Sequence, residues 1–218
     1  MYQAQKAYNQ AIDMYQQALQ LNPKNADALS SLAACQANAG RTAEAILTYE
    51  QVIAMRPGNA QEQKALGDLY LKEGKTAQAV AAYKRYLEKG VDDPKIARLV
   101  GDYEYNQKNY KDAVTYLGKV TGAEAARPDY LFRYGTAAYQ LNDFRKTEEL
   151  FKKLVAADPK NAEAFKTLYE IASKNKELMP AAEYLKRYTA LVPSDDKMLL
   201  ALGDLLYNGV APWSQRSS

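Results

Sequence analysis

Residues 60–93 read AQEQKALGDLYLKEGKTAQAVAAYKRYLEKGVDD, and the thirty-four residues after them repeat the same pattern without an insertion. Apolar residues recur at helical spacing in two blocks, Ala60 to Glu73 and Thr76 to Lys89, with a break at Gly74 between them. That spacing describes a helical hairpin. Working outward, one register runs from Ala26 to Asp195 and stacks Leu32, Leu66, Val100, Tyr134 and Leu168 in a column, with Leu202 following. Tyr49, Tyr83, Leu117, Phe151 and Leu185 form a second column. A fixed period of this length marks a helical repeat array, in which each unit contacts mainly its neighbours. The expected body is all-α and elongated, a single array over 1–210. It holds a half unit at 1–25, full units at 26–59, 60–93, 94–127, 128–161 and 162–195, and a terminal helix at 196–208, with 211–218 a flexible tail.

Punctuation agrees with the period. The residue before each first helix is Asn25, Asn59, Asp93, Arg127, Asn161 or Asp195, and all but Arg127 are good N-caps. Pro94 and Pro128 stand at the first helical position, where a missing N–H costs nothing. The hairpin breaks carry Gly40, Gly74, Lys108, Asn142 and Lys176 in one column. Gly and Asn suit the left-handed residue that closes a helix, and the lysines are poorer at it. Small residues then predict close helix approach: Gly67, Gly101, Gly135 and Gly203 in the first helix, and Ala11, Ala45, Ala79, Ala113 and Ala181 in the second, where Thr147 is the exception.

These residues carry a resemblance. Leu66, Gly67, Tyr70, Ala79 and Tyr83, and again Leu131, Gly135, Phe151 and Pro159, match the signature of the tetratricopeptide repeat, and the likeness covers about residues 2–207. The family implies a right-handed superhelical α-solenoid of antiparallel helix pairs. The chain departs from the family where its late small residue becomes Val52, Tyr86, Val120, Leu154 and Tyr188, which should open the spacing between hairpins. It departs again where the family's Pro is Val91 and Ala125, which predicts local irregularity around the third full unit. Lys84-Arg85-Tyr86 recurs as Lys186-Arg187-Tyr188 and hints at duplication of larger blocks. The chain opens near the close of a first helix and stops after a lone first helix, so an excerpt from a longer array is expected. The tail with Trp213 reads as truncated or vector-derived.

Composition narrows the function. With 47% hydrophobic and 25% charged residues and a net charge of +3, the chain reads as soluble and only mildly basic, which argues against nucleic acid. No apolar run approaches the ~20 residues that span a bilayer, so membrane insertion is not expected. The single cysteine, Cys35, sits in a small apolar column and reads as a buried structural thiol that leaves the redox compartment open. The compartment is read as cytoplasmic in preference to periplasmic. The chain has no histidine, which removes the commonest general base and most zinc and haem sites, so no catalytic site, metal or cofactor is expected. Gly74-Lys75-Thr76 imitates the end of a phosphate-binding loop, but Leu69 stands where its first Gly belongs. Asp92, Asp93, Asp195 and Asp196 read as helix starts, and Glu148 and Glu149 as a solvated face.

The resemblance also implies where a ligand binds. In the family, repeat positions two, five, nine, twelve and thirteen of the first helices face a concave groove. Carried over, these give Gln61, Lys64, Asp68, Leu71 and Lys72, then Lys95, Arg98, Asp102, Tyr105 and Asn106. The fourth and fifth units add Asp129, Phe132, Thr136, Tyr139 and Gln140, then Glu163, Lys166, Glu170, Ser173 and Lys174, and the last helix adds Tyr207. Basic and acidic groove residues balance, and Lys64 with Asp68, Arg98 with Asp102, and Lys166 with Glu170 are spaced to pair along a helix. The family's clamp for a terminal carboxylate needs Lys, Asn and Arg across three units, and Lys95 here has Gln61, Ala65 and Asp68 around it. The expected function is therefore a non-catalytic interaction module that holds a segment of another protein by aromatic burial and mixed polar contacts. Two alternatives remain: the tyrosines only cover their own superhelix, or the chain is an assembly unit that self-associates through its exposed array ends.

Overall fold

The computed structural model describes residues 2–210, so the tail foreseen as flexible lies outside the described residues. These residues form twelve α-helices, one 3-10 turn and no strand. The chain divides into two compact units, one through Val100 and one from Gly101. The first holds α1 (Tyr2–Leu21), α2 (Ala26–Asn38), α3 (Thr42–Met55), α4 (Ala60–Lys72) and α5 (Thr76–Glu88). Here α2 pairs with α3 and α4 with α5, while α1 packs on α2 and α3 on α4. The division falls within α6 (Pro94–Asn106). The second unit continues with α7 (Tyr110–Leu117), α8 (Pro128–Gln140), α9 (Phe144–Ala157), α10 (Ala162–Lys174), α11 (Leu178–Leu191) and α12 (Asp196–Val210). In it α8 pairs with α9 and α10 with α11, and successive hairpins pack through α7 on α8, α9 on α10 and α11 on α12. The architecture is an α-solenoid of helical hairpins.

Helix starts keep the register. First helices begin at Ala26, Ala60, Pro94, Pro128, Ala162 and Asp196, and second helices at Thr42, Thr76, Tyr110, Phe144 and Leu178, each one 34-residue step from the last. The cause of each start is local. Asn25, Asn59, Asp93, Asn161 and Asp195 accept the backbone N–H of Ala28, Gln61, Ile96, Ala164 and Met198 at 3.0–3.2 Å, and Arg127 makes no such bond. Of the adjacent acids, Asp93 and Asp195 are thus accounted for as caps, and Asp196 lies in the first turn of its helix. The recurring Lys-Arg-Tyr has a structural role as well: the Tyr188 hydroxyl donates to the capping Asp195 at 2.8 Å, and Tyr86 to Asp93 at 3.4 Å. A second helix is thereby tied to the start of the next hairpin.

Every hairpin turns the same way. Gly40, Gly74, Lys108, Asn142 and Lys176 all adopt positive φ, between 60° and 81°. The next residue's N–H then bonds a carbonyl of the last helical turn: Arg41 to Gln36, Lys75 to Tyr70, Asn109 to Glu104, Asp143 to Ala138 and Glu177 to Ala172, at 2.8–3.0 Å. This is the Schellman closure, which satisfies carbonyls that the helix end leaves orphaned. The two lysines, unsuited to left-handed geometry by their side chains, are held in it by that bond. Gly74-Lys75-Thr76 is this turn, between α4 and α5, with no strand before it among the described residues.

Small residues sit where helices meet. Ala45, Ala79, Ala113, Thr147 and Ala181 are fully buried, and the Thr147 hydroxyl donates to the Asp143 carbonyl at 2.8 Å, so it enters the core satisfied. A Cβ on Gly67 would lie 2.5 Å from the Tyr83 ring, on Gly101 2.7 Å from Leu117, and on Gly135 2.2 Å from Phe151. Gly203 differs, since a Cβ there meets nothing within 4 Å. The larger late residues Val52, Tyr86, Val120, Leu154 and Tyr188 are all buried. Cys35 is only partly buried and packs against Ile12, Leu32 and Ala39.

Irregularity appears where the missing prolines foretold it. Helix α7 has 8 residues against 13 or 14 in the other complete second helices, and a 3-10 turn over Gly122–Ala126 stands in the connection to α8. It stops at Gly118, and the buried Tyr130 hydroxyl donates to the Leu117 carbonyl at 2.8 Å. In the first unit, Arg56 bridges Asp27 and the buried Glu62, binding the latter at 2.7 Å. That pairing keeps a carboxylate in a column that is otherwise small or apolar.

Four outcomes are expected. Lys176→Gly should raise stability by roughly 0.5–1 kcal/mol, as relief of the left-handed strain outweighs the added freedom of the unfolded chain; a higher urea midpoint checks it. Gly101→Leu overpacks the Leu117 contact and should cost ~1–3 kcal/mol, while Gly203→Ala, which meets open space, should leave the thermal melt unchanged or raised. The Tyr188 hydrogen bond, foremost, holds Asp195 below its ordinary pKa. Its contribution is therefore complete above the unfolded value of about 3.9 and is lost as pH falls through the folded value. Tyr188→Phe should flatten the acid limb of the stability curve below about pH 4, read by melting at stepped pH.

Candidate functional site

In the second unit, the end of α6 and the first helices α8 and α10 carry residues spaced three or four apart, which puts them on one face of each helix. Two depressions lie against that face. One, of about 510 Å³, is lined by Tyr105, Pro128, Asp129, Phe132, Arg133, Asp158 and Asn161. The other, of about 350 Å³, is lined by Thr136, Tyr139, Gln140, Phe151, Glu163, Lys166, Thr167 and Glu170. Phe132 and Thr136 stand one turn apart on α8. The Tyr105 phenol is raised first by burial, then pulled back by a hydrogen bond to Thr136, and raised again by Tyr110 and by the charge of Glu163. Tyr105 thus lines one depression while interacting with residues of the other.

Each aromatic ring is backed by another. Phe132 stacks on Phe151 at 6.1 Å with 6° between planes, Tyr139 meets Phe144 edge-on at 5.8 Å, and Tyr105 meets Tyr110 at 6.1 Å. Lys174 sits over the far ring, 4.0 Å from the Phe144 centroid. Such backing fixes the rings at low entropic cost to a ligand. All three front rings stay partly exposed. The Tyr139 hydroxyl donates to Glu170 at 3.0 Å, and its pKa is raised by burial and then by that carboxylate.

Charge pairing reaches beyond the helical spacing. Lys64 and Asp68 pair along α4 at 3.1 Å, but the Tyr83 hydroxyl also donates to Asp68 at 2.6 Å, so this carboxylate serves its own hairpin. Asp102 receives Arg133 from α8 at 2.8 Å, a bond between helices. Glu170 takes Tyr139, and the Lys166 ammonium lies 5.9 Å from the Tyr188 ring centroid, so this pair turns to other partners. Lys64, Asp68, Lys95 and Arg98 belong to the first unit. Exposed Asn106 ends α6 and exposed Tyr207 lies on α12, and neither lines these depressions.

Six lining residues fall outside the carried-over positions: Pro128, Arg133, Phe151, Asp158, Asn161 and Thr167. Arg133 and Thr167 share repeat position six, which is Ser31, Ala65 and Leu99 in earlier units, so a switch to larger polar residues was the available signal. Asp158 and Asn161 come from the turn before α10, where only Asn161 was read, as a cap. A separate pocket of about 350 Å³ in the first unit lies against α3, α4 and α5, with Glu50, Tyr70 and Arg85 around Ile53 and Ala81. There the Tyr70 hydroxyl donates to Glu50, and burial and that carboxylate push it up to about 12. Glu148 pairs with Lys152, and Glu149 with Lys146 and Lys153, which accounts for these acids as a solvated helix face. No group of three or more His, Cys, Asp or Glu is placed to hold a metal among the described residues, and no described helix is long and apolar enough to cross a membrane.

Two family models described as tetratricopeptide repeat match the chain, one over residues 2–48 and 38–103 and the other over 101–162. A search of the curated proteins finds no significant match. Among solved structures, YrrB, described as a tetratricopeptide protein with an unusual peptide-binding site, is similar at 16% identity with a TM-score of 0.51, over 86% of this chain and 96% of its own. A MamA mutant is similar at 23% identity and TM-score 0.51, over 76% of this chain and 96% of its own. A structure of Naa15/Naa10 bound to HypK-THB is similar at 18% identity and TM-score 0.59, over 95% of this chain but 32% of its own. At these identities the likeness speaks for the fold. With the family models spanning most of the chain and the hairpins keeping a 34-residue step, this protein belongs to the tetratricopeptide repeat family.

Proposed function

We propose that the chain is a non-catalytic interaction module whose second unit holds a segment of a partner protein against the first-helix face of α8 and α10. Repeat proteins of this family generally act as interaction modules. The observation that carries the proposal is the alignment of Tyr105, Phe132 and Tyr139, partly exposed and each backed by a second ring, along two adjoining depressions. Rigid aromatics beside short polar groups such as Thr136, Gln140 and Asn161 are the ingredients of peptide recognition, since they bury apolar area and leave hydrogen bonds to the segment's backbone. YrrB, which shares the fold, is described as having a peptide-binding site, and this adds support.

A second reading rests on α12, where Leu200 and Tyr207 are 71% and 68% exposed, Leu199 and Leu206 are exposed, and Gly203 faces open space. That apolar face suits self-association. One experiment separates the two readings: affinity capture from source-cell extract, with the wild type beside Tyr105→Ala/Tyr139→Ala at matched helicity. The groove reading expects a protein retained by the wild type and lost by the variant. Equal retention by both places the partner elsewhere; no retention, with particle mass rising with concentration, favours α12.

A further inference from the structure

The residues lining the second unit's groove are unbalanced in charge, against the chain's net +3. Four carboxylates, Asp129, Asp158, Glu163 and Glu170, stand against two cations, Arg133 and Lys166. Both cations have other commitments. Arg133 binds Asp102 at 2.8 Å. Lys166 leans to the Tyr188 ring and contributes its charge to Asp195. Arg127 offsets part of Asp129 at 3.2 Å, through a guanidinium that is 57% exposed and therefore readily displaced. The carboxylates are spread along both depressions, with the rings of Tyr105, Phe132 and Tyr139 between them.

We infer that the segment held in this groove is basic: an extended stretch of a partner protein whose Arg or Lys heads reach the Asp129, Asp158 and Glu163 carboxylates while their stems cover the aromatic floor. The inference rests on the groove reading above and specifies its ligand. Long cationic side chains fit both parts of the surface, since the methylene stem packs on a ring and the head stays with carboxylates at the rim. An acidic segment meets like charge, and a purely apolar one desolvates carboxylates without pairing them, so the lining discriminates by penalty as well as by attraction. The acidity is local to the lining, so it concerns which segment is held rather than the field of the whole chain.

The probes are two fluorescein-labelled peptides, one alternating Leu and Arg, the other with Glu at every Arg, titrated by anisotropy. The proteins are the wild type, Asp129→Asn/Glu163→Gln and Tyr105→Ala/Tyr139→Ala, each checked for equal helicity. Asp129 and Glu163 are exposed, so their neutralisation leaves the core intact. The expected result is binding of the Arg peptide only, weakened roughly threefold to tenfold by the carboxylate variant, with the difference shrinking as salt is raised. Equal or tighter binding of the Glu peptide overturns the charge preference, as does an Arg-peptide affinity unchanged by Asp129→Asn/Glu163→Gln. If the Glu peptide binds and the tyrosine variant abolishes it, the groove reading stands and the basic-ligand inference alone fails. If neither peptide binds the wild type, or the tyrosine variant binds the Arg peptide unaltered, both fail together.

Discussion

In three of the five hairpins a side chain of the second helix lies directly on the backbone of its own first helix, and those hairpins depend on that contact. Tyr83 on Gly67, Leu117 on Gly101 and Phe151 on Gly135 leave no room for a Cβ. The contact is possible only if the second helix returns at a fixed angle and offset. The left-handed residue with its Schellman bond supplies that offset identically at five turns. The turn aims the second helix, and in these three hairpins the missing side chain lets it arrive. Buried alanines, with Thr147 in their place once, continue the close seam.

Closure on one side leaves the other side of each first helix unsealed. Residues at repeat positions five, nine and twelve lie on that side, and in the second unit their rings rest on inward partners: Phe132 on Phe151, Tyr139 on Phe144. Phe151 does both jobs, filling the space over Gly135 and supporting Phe132. The core contact that builds the hairpin therefore also stiffens the surface proposed to bind, which lowers the entropy lost when a ligand settles.

Much of this was legible in the sequence, because it repeats. Period, caps, turn positions and the small-residue columns each follow from local chemistry at a fixed step, and the lost prolines pointed to the shortened α7. What repetition does not encode stayed hidden. Lys108 and Lys176 were flagged as poor turn residues, and they still adopt the turn because the hydrogen-bonded closure outweighs the strain of one Cβ. Asp102 has a partner in Arg133 on another helix, and Arg56 reaches Glu62 and Asp27 across turns. Such pairs depend on how hairpins stack, which helical spacing does not report. The same limit hid Arg133, Thr167 and Asp158 as lining residues.

Photo-crosslinking tests the central claim most directly, that the partner lies on the first-helix face of the second unit. A benzophenone amino acid is placed at Gln140 on α8 in one protein and at exposed Lys152 on α9 in another, and each is irradiated with the captured partner. The account predicts a crosslinked product from Gln140 and none from Lys152. Crosslinking from Lys152 alone would put the partner on the second helices and contradict it.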